Sequence, residues 1–434
     1  MSREFCQWQK LCDTFSFIIF AAFICDNMID KITINNFKSI ADLTVGLGRV
    51  NVIIGENGCG KTNFLEAIAF AAAASQRNLN NTILGANMRV VPKDFMYSAF
   101  EEEVKGTMNI DVPTIDIKIE ERNKIPTLVS CAYSDEAKQW INIADLASRL
   151  MVRVSLNQVF KIMSDEFIEA VSSLDGISKD EALNLLASDI NLSDVELFRE
   201  KMPKTFKAAE DLMLNKPKLN SYVIYSPEEQ MLRRFSDDSQ ITPLGRRGEG
   251  LFQYLKDIAK TEQATSFFMK LKDGLQLLDW FDDFKMPEDL LSNEYRLNVA
   301  DKYLKDTLHY FDQRSTNEGF LYLLFYLTLF NSSDTPSFFA IDNIETSFNP
   351  KLSTYLLRKL IDLAKANDKQ VIITTHSPFI IDALDLVDDD QRLFVARRNR
   401  YGHTVLDRIK PGSSGQKLSD LWMKGIIGGL PDNF

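Results

Sequence analysis

The sequence predicts an α/β fold: a single phosphate-loop head whose two halves are separated by a large, mainly helical insertion. Three observations carry this. A glycine-rich loop sits between an apolar strand and a helix near residue 60. An apolar strand, Phe338-Phe339-Ala340-Ile341, ends in Asp342. A third strand, residues 370–374, ends in Thr375-His376-Ser377-Pro378. The loop and the acidic strand serve one kind of site although 280 residues separate Thr62 from Asp342. The 434 residues therefore read as one interrupted head, where length alone would also allow two or three small domains.

Residues 1–27 form an N-terminal extension that contains a nearly unbroken apolar run, FSFIIFAAFIC, at 15–25. It is too short to span a membrane, which takes about 20 apolar residues. A signal peptide is one reading, since Arg3 and Lys10 precede the run, but no small-residue cleavage pattern follows. A functional start at Met28 is the other, because MIDKITINNFKSI opens a strand pattern at once.

From Ile32 the chain alternates as short strands, ITI, LTV and VNVII. Directly after them comes Gly55-Glu56-Asn57-Gly58-Cys59-Gly60-Lys61-Thr62, with Asn63 opening the helical run 64–74. This is G-x-x-x-x-G-K-[ST] at every fixed position. Glycines let the backbone curl until successive N–H groups face phosphate oxygens, and the following helix adds its positive end. Lys61 is expected to reach the β- and γ-phosphates and the Thr62 hydroxyl to ligate Mg²⁺.

The middle of the chain, 111–300, is expected to be the insertion. A short β segment at 115–119 leads to amphipathic helical patterns at 145–160 and 179–188, and a further strand spans 221–225. Gly245, Gly248 and Gly250 flank Arg246 and Arg247 in a loop that opens a helix. These arginines are either solvated charge or contacts to phosphate, partner or nucleic acid. No heptad seam persists, which excludes long coiled-coil arms. Thr316-Asn317-Glu318-Gly319 then opens a long apolar helix at 320–330, before the strand that ends in Asp342.

In this order, phosphate loop, insertion, signature-like turn with its helix, acidic strand and TTHSP resemble the head of an ABC-class ATPase, specifically the RecF, SMC and OLD-type branch. The resemblance covers about residues 28–110 and 301–434 and leaves the middle uncovered. The tail KLSDLWMKGIIGGLPDNF resembles stand-alone ATPases of bacterial anti-phage operons. The resemblance implies ATP with Mg²⁺ bound between two protomers. Residues 55–63 would hold the nucleotide and Thr62 and Asp342 the metal. His376 would sense the γ-phosphate, and Asn317, Glu318 and Gly319 would cap ATP from the partner. Asn317 also fits a plain helix N-cap, a common role for Asn.

The chain departs from that pattern in three places. The catalytic glutamate expected after the acidic strand is Asn343, which can orient water but cannot accept its proton. Glu345, two residues on, either replaces it or is a solvated or interface glutamate. The signature serine is Asn317. The glutamine that such heads place between phosphate loop and signature has no clear counterpart: none stands between Gln76 and Gln139, and Gln230 lies far downstream and also reads as a surface residue.

Composition bounds the function. There are 50 Lys+Arg against 61 Asp+Glu, a net charge of -11. This disfavours a chain-wide nucleic-acid clamp and favours protein partners. Five unpatterned cysteines and three histidines offer no zinc or disulfide framework and suit a reducing cytoplasm. The cluster Asp388-Asp389-Asp390 invites a metal reading, with a solvated loop as the alternative. Only 58 residues follow His376, too few for the nuclease domain that OLD-type proteins append. The expected function is a slowly hydrolysing ATPase without a membrane segment, forming at least a head-to-head dimer. The resemblance implies a separate toxin or nuclease effector encoded nearby and a phage protein as trigger; a RecF-like DNA clamp is the alternative.

Overall fold

A computed structural model describes residues 28–75, 107–112, 115–122, 125–134, 140–142, 178, 218–234, 243–286, 297–304, 310–312, 315–412 and 416–430. The apolar run at 15–25 and the helical patterns at 145–160 and 179–188 lie outside these residues.

The chain opens with a hairpin of β1 (Lys31–Phe37) and β2 (Ile40–Gly46). Its register sets Ile32 against Val45 and Ile34 against Leu43, so one face is apolar and buried. Then β3 (Val50–Gly55) runs into the glycine loop and α1 (Lys61–Ser75). Next come β4 (Thr107–Val112), β5 (Ile115–Arg122), β6 (Ile125–Ser134) and β7 (Trp140–Asn142). They extend the hairpin into an antiparallel sheet of order β2-β1-β4-β5-β6-β7. The boundary expected at residue 110 therefore falls inside a strand, with Ile34 facing Ile110 and Thr33 facing Asp111. A ladder of backbone hydrogen bonds makes both sides one sheet, and the first part of the insertion is strand.

After a 3₁₀ turn (Lys218–Ser221) come β8 (Ile224–Tyr225) and α2 (Glu229–Leu232). Then follow α3 (Leu251–Ile258), α4 (Ala264–Leu275) and a small antiparallel sheet of β9 (Phe281–Lys285), β10 (Asn298–Asp301) and β11 (Tyr310–Asp312). The chain continues with α5 (Glu318–Asn331), β12 (Phe338–Ile341), α6 (Pro350–Ala366) and β13 (Gln370–Thr374). It closes with β14 (Gln391–Arg398), β15 (Thr404–Ile409) and α7 (Leu418–Met423).

The central sheet has the order β15-β14-β3-β13-β12-β8, parallel throughout except for β15. Its inner strands are buried and mostly apolar because both faces are covered. Val52 and Ile54, Phe339 and Ile341, and Val371 and Ile373 join one core cluster with α5 and α6. Ile53, Phe338, Ala340 and Ile372 join another with α1 and the β1–β2 hairpin. Helix α5 is buried from Phe320 to Asn331 and apolar nearly all round, as a helix packed on every side must be. Helix α6 buries one face, starts on the Asn349 cap with Pro350 in its first turn, and makes the crossover between the parallel neighbours β12 and β13.

The parallel strands end at one edge, at Gly55, Tyr225, Ile341 and Thr374, where ligands of such sheets bind. The arrangement is an α/β P-loop NTPase head with an antiparallel sheet packed beside the parallel one. Among the described residues, no helix is long and apolar enough to cross a membrane.

Candidate functional site

The glycine loop has the backbone its sequence demands. Gly55 lies at φ +147°, and a Cβ there would stand 2.3 Å from the Ala396 carbonyl of β14. Gly60 lies at φ +107°, and a Cβ would come within 2.0 Å of Thr404 Oγ1. That hydroxyl donates to the Cys59 carbonyl (2.8 Å) and shares a 2.7 Å hydrogen bond with Ser39 Oγ. Asn63 donates to the same Ser39 oxygen at 2.6 Å. The β1–β2 turn and β15 thus hold the loop from outside. A buried ion pair, Lys38 Nζ to Glu66 Oε2 at 2.6 Å, fixes that turn on α1.

Lys61 is buried, and its ammonium donates to the carbonyls of Gly55 (2.8 Å) and Glu56 (2.7 Å). Burial pushes its pKa below the ordinary lysine value, opposed by the charges of Cys59, Asp342 and Glu345. Two carbonyls are poor partners for a desolvated ammonium, and phosphate oxygens in their place would make stronger, charge-assisted bonds. Glu56 is half-buried, while Asn57 and Gly58 are exposed at the loop tip.

The distant acid arrives where expected. Thr62 Oγ1 donates to Asp342 Oδ2 at 3.4 Å across 280 residues of sequence. The other Asp342 oxygen accepts from Thr374 Oγ1 at the end of β13, and Thr374 Oγ1 in turn accepts from the Asn343 N–H at 3.0 Å. A hydroxyl and a carboxylate are hard oxygen donors suited to Mg²⁺ with phosphates and water completing its sphere. Among the described residues, no group of three or more His, Cys, Asp and Glu is placed to hold a metal by itself.

After Asp342 the chain turns sharply. Asn343 adopts φ +58°, a left-handed conformation that Asn tolerates and glutamate does not favour. Ile344 is fully buried beneath it, and Glu345 returns to the strand edge. There Glu345 Oε1 accepts from the His376 N–H at 2.6 Å, while Oε2 is buried without a hydrogen-bond partner among the described residues. The His376 side chain is exposed. Partial desolvation holds its imidazole below the ordinary value, with the Lys61 charge acting in the same direction.

The signature-like turn is elsewhere. Asn317 Oδ1 accepts from Phe320 N at 2.9 Å, so it is a helix N-cap. Glu318 accepts from Ser347 Oγ at 2.7 Å, and Gly319 faces the Ser347 carbonyl. Hydrogen bonds tie this turn to the loop after Asp342 and, through Arg233, which donates to the Thr316 carbonyl at 3.0 Å, to the residue that follows α2.

Two groups at this edge escaped the sequence reading. Thr374 looked like an ordinary strand residue, although it orients Asp342. Tyr225, at the end of β8, accepts through its carbonyl from the Asp342 N–H at 2.8 Å, so Ser226 follows beside the acidic strand's end. Gln230 is exposed in α2. The triple aspartate is spent on ion pairs: Asp388 with Lys365 (2.5 Å), Asp389 with Arg392 (2.7 Å) and Arg408 (2.5 Å), and Asp390 with Arg49 (3.5 Å). The metal reading of that cluster therefore falls to the charged-loop one.

A family profile described as "AAA ATPase domain" matches residues 28–302 and 319–381. The chain belongs to that family. The profile takes in residues 55–63 and 342–376 of this AAA ATPase, and its break at 303–318 contains Asn317 and Glu318. Among curated proteins, 55 residues are 40% identical to an uncharacterized protein, MJECL10, of Methanocaldococcus jannaschii, 12% of this chain and 25% of that one. The chain thus spans about a quarter of the length of that relative. Among solved structures it is similar to an Smc head bound to the C-winged helix domain of ScpA, at 13% identity and TM-score 0.47, covering 88% of this chain and 98% of that one. It is similar also to the SMC head domain of Thermotoga maritima (12% identity, TM-score 0.41, 88% and 99% covered). An Smc head of Pyrococcus furiosus with the C-terminal domain of ScpA gives 13% identity and TM-score 0.46, with 88% and 96% covered.

Proposed function

We propose that this AAA ATPase binds Mg²⁺ and ATP at the edge built by residues 55–63, Asp342 and His376, and hydrolyses the nucleotide slowly. The observation that carries the reading is the approach of Thr62 to Asp342 beside the buried Lys61, which joins the two halves of a nucleotide site across the whole insertion. Bound Mg²⁺ would neutralise the phosphates and polarise the γ-phosphoryl group. Lys61 then exchanges loop carbonyls for phosphate oxygens. Glu345 is the carboxylate placed to take a proton from the attacking water, because the left-handed turn at Asn343 brings it back to the strand end beside His376. One of its oxygens is engaged by the His376 N–H, which leaves Oε2 for water and accounts for slow turnover.

The signature-like turn, joined to the loop after Asp342, supports capping of ATP in a partner protomer. The reading is a cytoplasmic ATP-gated dimer or larger assembly that holds and releases a separate toxin or nuclease effector in anti-phage defence, similar to AriA of the PARIS system. The DNA-clamp alternative is weakened by the basic candidates. Arg247 pairs with Glu249 (2.8 Å) and Arg397 with Asp407 (2.7 Å), while Arg398 donates to the Gly58 carbonyl (2.9 Å). The test is purification with the neighbouring gene products and mass measurement with and without ATP. A larger assembly that retains an effector only with ATP is expected. A monomer in both conditions, without companion protein, would sink the reading.

A further inference from the structure

The glycine-rich segment 243–250 has no role in the site so far described, yet it is built into its edge. The Ser226 N–H donates to the Arg246 carbonyl at 2.9 Å and the Glu228 N–H to the Arg247 carbonyl at 2.9 Å. Since Tyr225 itself accepts from the Asp342 N–H, Arg246 is one backbone hydrogen bond removed from the residue that follows Tyr225. The segment is also closed on itself. Gly245 N donates to Glu249 O at 2.8 Å and Gly248 N to Gly245 O at 3.0 Å. Gly248 lies at φ +98°, where a Cβ would stand 2.4 Å from Leu232. Such a loop fixes the directions of its two arginines.

They go different ways. Arg247 is exposed and turned to Glu249 and Glu228, at 2.8 and 3.9 Å. Arg246 is half-buried, and burial pulls its pKa down while the carboxylates of Glu66 on α1 and Asp342 on β12 favour its charge. Glu66 follows Lys61 by little more than one helical turn, and Asp342 faces Thr62. Its backbone is thus tied to the edge at Ser226, and its charge acts on two acids beside the phosphate loop, one of them the Asp342 that Thr62 approaches.

We propose that Arg246 is a phosphate-binding residue supplied in cis, which engages the γ-phosphate of a nucleoside triphosphate and distinguishes it from a diphosphate. A planar fork suits phosphate oxygens and keeps its charge when desolvated. This rests on the nucleotide reading of the same site.

The test measures Mg²⁺-dependent binding of ATP and ADP to the full chain and its Arg246→Met, Arg246→Lys, Arg247→Ala and Lys61→Ala variants. Met keeps the aliphatic stem in the half-buried slot. Arg246→Met is expected to weaken ATP by about tenfold to a hundredfold, the worth of a charged hydrogen-bonded contact, with ADP unchanged. Arg246→Lys should fall between, and Arg247→Ala should match wild type. Equal loss of ATP and ADP, or wild-type ATP affinity in Arg246→Met, overturns the assignment. If Arg246→Met does not fold, Arg246→Lys decides by the same ATP-to-ADP ratio. Wild-type chain that binds neither nucleotide overturns the nucleotide reading itself. Binding abolished by Lys61→Ala but untouched at Arg246 overturns only the arginine.

Discussion

Replacing Glu345 by Gln separates its proton-accepting role from its structural one. The amide is nearly isosteric, and its carbonyl oxygen still accepts from the His376 N–H that Glu345 Oε1 now binds at 2.6 Å. Exchanging a charged acceptor for a neutral one costs about 1 kcal/mol, so the fold should survive with melting lowered by a few degrees. ATP affinity should hold, because Lys61, Thr62 and Asp342 are untouched. The chemical step is different. A positioned general base contributes about 10²- to 10⁴-fold, and in the proposed mechanism Oε2, which has no hydrogen-bond partner among the described residues, is the atom that would supply it. Single-turnover hydrolysis of ATP, with binding measured separately, should therefore slow by about two to four orders of magnitude at unchanged affinity. Wild-type turnover in Glu345→Gln would refute the role and return Glu345 to a clamp on the His376 backbone. An Asn343→Glu change should not rescue the variant, since a left-handed φ of +58° costs a glutamate about 1–2 kcal/mol.

Gly60→Ala should abolish ATP binding and cost about 2–4 kcal/mol by denaturant unfolding, since its Cβ would lie 2.0 Å from Thr404 Oγ1 at φ +107°. Full nucleotide affinity in that variant would contradict the loop geometry. Asn317→Ala should remove about 1 kcal/mol of stability through the lost cap, and should also prevent ATP-dependent dimers; cap loss with normal dimerisation leaves the turn a cap and nothing more. Lys369 is buried among the Thr335 and Pro336 oxygens, and burial pushes its pKa down to about 8 from 10.5. Between those values the unfolded chain binds more protons than the folded one. The lysine's contribution to stability is therefore flat below pH 8 and rises as pH climbs from 8 to 10.5. The difference in unfolding free energy between wild type and Lys369→Met should follow that rise, and a difference that falls over the window would contradict it.

The site was legible where chemistry fixes residue types at fixed spacing. Gly55, Gly60, Lys61 and Thr62 are dictated by phosphate and metal, and Asp342 by its place at the end of a fully apolar strand. Of the strands β4–β7 only the 115–119 part of β5 was legible, because sheet pairing joins β1 to residues more than 70 positions away and leaves only weak alternation locally. Strand β8 forms only the last two residues of the strand expected over 221–225, and its place beside Asp342 is set by pairing with β12, which no local pattern shows. Thr374 became visible only when β12 and β13 were aligned in register. Asn343 read as a lost glutamate. The backbone there is left-handed, a conformation Asn tolerates, and the proposed function gives the carboxylate's role to Glu345.

The central claim is that residues 55–63 and Asp342 form one nucleotide site despite the 280 residues between Thr62 and Asp342. Equilibrium titration of ATP with and without Mg²⁺, on wild type, Lys61→Ala and Asp342→Asn, tests it most directly. The account predicts Mg²⁺-dependent binding in wild type, loss of binding in Lys61→Ala, and binding in Asp342→Asn that no longer responds to Mg²⁺. An Asp342→Asn variant with the wild-type Mg²⁺ response would contradict it.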